Sequence, residues 1–218
     1  LKGTFPVEKF KTLPTPFYYY DMKLLQDTLD VVKQESGKYG YHVHYAIKAN
    51  ANPRILSLIA QNGLGADCVS GGEVQAALHA GFPANKIVFA GVGKADWEIN
   101  LGLDNDIFCF NVESLAELEV INELAAAKQK VASVALRINP EVDAHTHAKI
   151  TTGMKENKFG INLGKLQGVM DRLTQMEHIK LIGIHCHIGS QITDMSAFRN
   201  LTIRINEIQE ELEARGIT

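Results

Sequence analysis

The stretch Leu181-Ile182-Gly183-Ile184-His185-Cys186-His187-Ile188 decides the fold. Successive side chains of a strand point to opposite faces, so Ile182, Ile184, Cys186 and Ile188 share an apolar face while Gly183, His185 and His187 share the other. Two further stretches divide in the same way. In residues 133–139, Val134, Leu136 and Ile138 point away from Arg137; in residues 43–48, Val43, Tyr45 and Ile47 point away from His44, Ala46 and Lys48, with His42 continuing the polar side. An open, doubly wound sheet is covered by helices on both faces and asks both sets to be apolar. A barrel is covered by helices only outside and tolerates polar groups near its mouth. The pattern therefore predicts an α/β fold of the (β/α)8 TIM-type barrel kind, with its site at the carboxyl ends of the strands.

Outward from these stretches, short runs rich in Val, Ile and Phe alternate with longer segments of helical period. Strands are predicted over residues 43–48, 65–69, 87–91, 107–111, 133–139 and 181–188, and helices over 53–61, 72–79, 94–101, 114–128, 165–175 and 196–214. That is about six βα units, a barrel truncated relative to eight. Ahead of them, residues 15–20 are expected to form an extra strand and Asp21 to N-cap a helix reaching about residue 35, which makes 1–36 a lead-in strand and helix. No low-complexity tract or Pro/Gly-rich linker divides the chain, so residues 1–218 read as a single, incomplete barrel domain. The irregular run 140–162 is long for a compact fold, and such runs are more often functional loops than filler.

Composition narrows the function classes. With 22 Lys+Arg against 25 Asp+Glu the net charge is −3, and no basic cluster marks a nucleic-acid or anionic-membrane surface. The expected partner is a small molecule or another protein, with no nucleic acid and no membrane. No apolar run approaches the roughly 18 residues of a spanning helix, and Leu1-Lys2-Gly3-Thr4-Phe5-Pro6 lacks the regions of a signal peptide, which predicts a cytoplasmic location. Cys68, Cys109 and Cys186 are too scattered for a disulfide framework or a CxxC site, and are expected to be reduced, buried apolar residues.

Lys48, Asp67, Asn111, Arg137 and His187 all fall at or near the ends of their predicted strands, so they should ring one mouth. Any one of them alone could be a separately satisfied charge. A lysine packed behind Tyr45, Ala46 and Ile47 suits Schiff-base chemistry, because burial and nearby cations favour the nucleophilic free amine. Pyridoxal phosphate would also need a partner for its ring and a phosphate cradle, which His187-Ile188-Gly189-Ser190 offers as an imidazole followed by a glycine and a hydroxyl. The rival is a metal-dependent barrel hydrolase, since His42/His44, His145/His147 and His185/His187 are all His-x-His pairs. Spacing disfavours it: His42 lies about 20 Å below the Lys48 end at roughly 3.3 Å per residue, and no acidic quartet accompanies His145 and His147. No metal is expected. Gly91-x-Gly93 is not completed as GxGxxG, and no GxxxxGK[ST] occurs.

Four segments, Tyr45-Ala46-Ile47-Lys48-Ala49-Asn50, Gly65-Ala66-Asp67-Cys68-Val69-Ser70-Gly71-Gly72-Glu73, Arg137-Ile138-Asn139-Pro140 and His185-Cys186-His187-Ile188-Gly189-Ser190-Gln191, carry a resemblance spanning nearly the whole chain. The sequence resembles the alanine-racemase-type (fold type III) pyridoxal-phosphate decarboxylases, and within them the diaminopimelate decarboxylases. The narrower likeness rests on the long loop: Val142-Asp143-Ala144, Thr146-His147, Thr152-Gly153 and Lys155-Glu156-Asn157-Lys158-Phe159-Gly160-Ile161. Ornithine-type relatives share its Lys158-Phe159-Gly160 end. The resemblance implies pyridoxal 5'-phosphate as cofactor, bound by Lys48 as a Schiff base, with His187 packed on its ring, Gly189 and Ser190 at its phosphate, and Asp67 near the imine nitrogen. Lys48 and His187 are then the catalytic residues, with Arg137 and Glu73 in a supporting charge network. The implied reaction is loss of CO₂ from meso-2,6-diaminopimelate to give L-lysine, the last step of bacterial lysine biosynthesis, by a homodimeric lyase.

The chain departs from that pattern in length. Family members run to roughly twice these residues, with eight strands and a C-terminal β domain, and a barrel alone takes about 250 residues. The family's glycine-rich phosphate segment, its Glu-Pro-Gly-Arg segment, and the cysteine and tyrosine given by the partner subunit do not occur in residues 1–218. The isolated 218 residues are thus expected to bind the cofactor weakly and to be inactive. Their first and sixth strands should be covered by another chain or by residues 15–20, or the barrel deformed. Two other readings stay open: a related decarboxylase of ornithine, arginine or a polyamine precursor, and a non-enzymatic pyridoxal-phosphate-binding barrel.

Overall fold

The computed structural model describes residues 3–140 and 159–214. Six parallel strands form one sheet: β1 (His44–Ala46), β2 (Gly65–Cys68), β3 (Ile87–Phe89), β4 (Cys109–Val112), β5 (Ala132–Arg137) and β6 (Ile179–His185). They lie side by side in chain order, each pairing only with its sequence neighbours. A doubly wound sheet reverses its strand order at a switch point. This one does not, and sequential parallel strands joined by helices are the barrel topology.

The helices are α1 (Val7–Phe10), α2 (Met22–Gly37), α3 (Pro53–Gln61), α4 (Gly71–His79), α5 (Asp96–Asp104), α6 (Leu115–Ala127), α7 (Leu163–Leu173) and α8 (Met195–Ala214). Their starts follow from side-chain capping, which satisfies N–H groups that have no partner within the helix. Asp21 accepts from the Leu24 N–H at 3.0 Å and starts α2, as expected from sequence. Asn52 does the same for α3, with Pro53 in the first turn. Ser70 and Ser114 cap α4 and α6.

The outward faces of the strands supply the core. Ile47, Ala66, Cys68, Ile87, Phe89, Phe110, Val112, Val134, Leu136 and Ile138 are all buried beneath the helices. Each large side chain of this set contributes about 1.5–3 kcal/mol by leaving water. Helix and sheet approach closely where α5 crosses β4: a Cβ on Gly102 would lie 2.6 Å from the Phe110 ring, so only glycine fits.

Two expectations are corrected. Residues 15–20 form no strand and pair with neither β1 nor β6, the two outer strands of the sheet. Their aromatic side chains turn instead toward the lead-in: Phe10 packs on Phe17 and Tyr19, and the Tyr19 hydroxyl donates to the Thr4 carbonyl at 2.8 Å. In β6 the strict alternation breaks at a register shift, with Val134 opposite Leu181 but Ala135 opposite Gly183. Ile182 is the extra residue of a bulge. Leu181 takes the helix-facing place expected for Ile182, which is left 38% exposed, while Ile184 beside Leu136 and His185 beside Arg137 keep their predicted faces.

Candidate active site at the strand ends

The carboxyl ends of the strands collect the polar residues. β1 ends at Ala46, and Lys48 follows in a single 3₁₀ turn, Ile47–Ala49, two residues beyond the strand. The turn is fixed from below: Ile47 is fully buried, the Asn50 N–H donates to the Ile47 carbonyl at 3.0 Å, and the Tyr45 hydroxyl donates to the Asn50 carbonyl at 3.2 Å. Lys48 itself is exposed and makes no hydrogen bond among the described residues. The burial expected around it is therefore not there, because the turn lifts it past the last pairing strand residue.

Asp67 is the third residue of β2, beside Ala46 and Val88, on the inward face. Burial pushes its carboxyl above the usual range, and Glu73 adds to this, while Lys48, His44 and Arg137 pull it back. Glu73 accepts from the Val69 N–H at 2.7 Å and so stiffens the loop ahead of α4. Asn111 is buried on the inward face of β4, where its carboxamide oxygen lies 3.7 Å from the Cys109 thiol.

The far side of the mouth is a buried charge network. Arg137, last in β5, donates to Glu113 Oε1 at 2.6 Å, with side-chain exposures of 10% and 5%, and its guanidinium lies over the Phe159 ring at 5.5 Å. Glu113, one residue past β4, was not singled out from sequence. It, and not Glu73, is the carboxylate hydrogen-bonded to Arg137. The backbone after residue 158 returns here: the Ile161 N–H donates to the Arg137 carbonyl at 2.7 Å, and Asn139 joins Asn162 by side chains. The rest of the long loop, including His145 and His147, lies outside the described residues.

His187 sits two residues beyond β6 and is half-buried; its pKa is lowered by burial first, then by Arg137 and Lys48. His185 is pushed down to about 4, mainly by burial. After Ile188, which packs with Ala197, Gly189 has φ 144°, a conformation that favours glycine, and Ser190 is exposed. Among the described residues no group of three His, Cys, Asp or Glu could hold a metal. Cys68 and Cys109 are buried and Cys186 half-buried, and burial raises each thiol's pKa.

Residues 24–218 match the family model described as pyridoxal-dependent decarboxylase, pyridoxal binding domain. The chain belongs to the pyridoxal-dependent decarboxylases. Among relatives in this decarboxylase family, the diaminopimelate decarboxylase of Bacteroides thetaiotaomicron is 65% identical over all of this chain, which covers 56% of that protein. The crystal structure of diaminopimelate decarboxylase from Helicobacter pylori complexed with L-lysine superposes with a TM-score of 0.90 at 39% identity, over 97% of this chain and 54% of the other. That from Methanocaldococcus jannaschii in complex with L-lysine gives 0.79 at 41% identity, over 90% and 46%. The chain spans about half the length of the relatives it matches.

The cofactor of this decarboxylase domain is pyridoxal phosphate. The mouth fits such a group on its own evidence. Two buried polar atoms of residues beside Arg137, Glu113 Oε2 and His185 Nδ1, have no protein partner among the described residues, and buried polar groups are rarely left so. Sequence reasoning missed Glu113, and also Lys94, in the loop after β3, and Glu117, in the first turn of α6, which are ion-paired with each other. A signal existed for Glu117: Ser114 followed at the third residue by Glu117 is a capping-box spacing.

Proposed function

We propose that the protein containing this chain is the lyase that removes CO₂ from meso-2,6-diaminopimelate to release L-lysine, as a cytoplasmic homodimer, and that residues 1–218 form its pyridoxal-phosphate barrel unit with 140–162 as an active-site loop. The observation that carries this reading is 65% identity over all 218 residues of the chain to a diaminopimelate decarboxylase. Bound pyridoxal phosphate supplies an electron sink for the charge left when CO₂ departs. Lys48 presents an exposed amine from a turn pinned by Ile47, suited to anchor the cofactor covalently. His187 offers an uncharged, flat ring at neutral pH, because burial and the two neighbouring cations disfavour its protonation. Gly189, at φ 144°, and the exposed Ser190 offer a backbone N–H and a hydroxyl with which a phosphate could be held. Asp67 gives a carboxylate that feels the charges of both Lys48 and Arg137, suited to balance positive charge near the anchoring nitrogen. Arg137 is locked by Glu113 and Phe159 and so contributes a fixed positive field.

The test is turnover by the full gene product. It should release CO₂ from meso-diaminopimelate and discriminate against ornithine and arginine by a factor that can reach about 10⁴, since a site built for a second amino-acid head leaves its groups unpaired with analogues that lack that head. Comparable turnover of ornithine or arginine would move the reading to a related decarboxylase of the same fold. Cofactor binding with no turnover of any amino acid would favour a carrier.

A further inference from the structure

A lysine that takes no part in that reading is the most completely satisfied cation of the described residues. Lys94 lies between β3 and α5 with its side chain 1% exposed, and its ammonium donates to the Gly91 carbonyl at 2.9 Å, the Asn111 carbonyl at 2.9 Å and Glu117 Oε1 at 2.5 Å. All three donors of an ammonium are thereby used. Glu117, in the first turn of α6, uses both oxygens as well: Oε2 accepts the Glu113 N–H at 2.8 Å. Burial raises the Glu117 carboxyl, and Lys94 opposes that rise. Glu113 in turn holds Arg137. The loops after β3 and β4 and the end of β5 are thus joined in one chain of contacts, Lys94 to Glu117 to Glu113 to Arg137, whose single fully buried, unpartnered side-chain atom among the described residues is Glu113 Oε2.

We propose that Lys94 and Glu117 are positioning residues: they fix the Glu113 backbone, and through its carboxylate the Arg137 guanidinium, where the cofactor meets them. This rests on the reading of the mouth as a pyridoxal-phosphate site. A helix that needed only a cap would be served by Ser114, which already accepts the Glu117 N–H at 3.2 Å. The buried lysine adds nothing to that cap. It adds a rigid link from a loop that does not touch Arg137 to the residue that does, and supporting contacts of this kind decide whether a site is held to tenths of an ångström.

Two paired substitutions in the full gene product separate positioning from stability. Lys94→Met alone strands a buried carboxylate and should lower the Tm of the cofactor-free protein. Lys94→Met with Glu117→Gln removes both charges and the link to the β3 loop but keeps an amide oxygen for the Glu113 N–H; it should restore Tm and weaken cofactor affinity less than the pair that follows. Lys94→Met with Glu117→Leu removes the acceptor as well; it should restore Tm yet leave the dissociation constant for pyridoxal phosphate about tenfold weaker, the usual scale for losing a supporting contact. Cofactor affinity equal to the parent's in the Met/Leu pair overturns the proposal. A readout without substitution is amide hydrogen exchange, which at Glu113 should slow when cofactor is added; unchanged exchange also overturns it. A parent that binds no pyridoxal phosphate would instead sink the underlying reading of the site.

Discussion

Two cations stand at the same mouth in opposite circumstances. Arg137 is nine-tenths buried, ion-paired with Glu113 and covered by Phe159, and its strand neighbour is His185. Lys48 is exposed on a turn, with no hydrogen bond among the described residues. The backbone under each is equally well fixed, since Ile47 is fully buried and Arg137 closes a continuous strand. The difference lies in the side chains. A buried, paired guanidinium is a fixed charge, whereas an unpaired amine on a rigid turn is free to react. One end of the mouth holds, and the other is the end we propose to react.

Breaking the holding side should have the largest effect on stability. Glu113→Ala leaves Arg137 buried without its carboxylate, which should cost about 3–5 kcal/mol and appear as a clear loss in urea or thermal unfolding. An unchanged midpoint would mean that the pair does not hold that side. The histidines sharpen the same contrast with pH. His185 is lowered to about 4, by burial first and then by Arg137, His187 and Lys94, so the folded state favours its neutral form. The stability from keeping it neutral is full above the unfolded value near 6.5 and is lost as pH falls toward 4. In the cofactor-free protein this adds a slope of up to about 1.4 kcal/mol per pH unit in that window. His185→Gln should flatten that slope, and an unaltered slope would show that His185 is not buried neutral. Smallest of all, Lys48→Ala should shift stability by no more than about 0.5 kcal/mol, as for an exposed side chain away from strained backbone.

The holding and reacting sides were not equally legible in the sequence. Period-2 alternation revealed Arg137, His185 and the inward face of β1, because burial on one side of a strand imposes a pattern that local reading detects. The Asp21 cap was visible for the same local reason. Lys94, Glu117 and Glu113 were hidden because their contacts join separate βα loops, with Lys94 and Glu117 23 residues apart in the chain. Lys94 was expected as the first residue of its helix, yet it precedes α5, which starts at Asp96, and points inward to its carbonyl partners. The bulge at Ile182 was invisible too, since the inserted residue exchanges the faces of Leu181 and Ile182 without changing the apolar composition or the faces of Ile184 and His185. Residues 15–20 look strand-like in isolation, but aromatic packing among themselves and with Phe10 offers those rings an alternative to a sheet.

The most direct test of Lys48 as the reacting cation is reductive trapping. The full gene product is incubated with pyridoxal phosphate, reduced with borohydride, and its peptides are mapped by mass. The added cofactor mass should fall on Lys48, and Lys48→Ala should abolish both the label and decarboxylation. A label on a different lysine, or activity retained without Lys48, would contradict the assignment of this mouth as the pyridoxal-phosphate site.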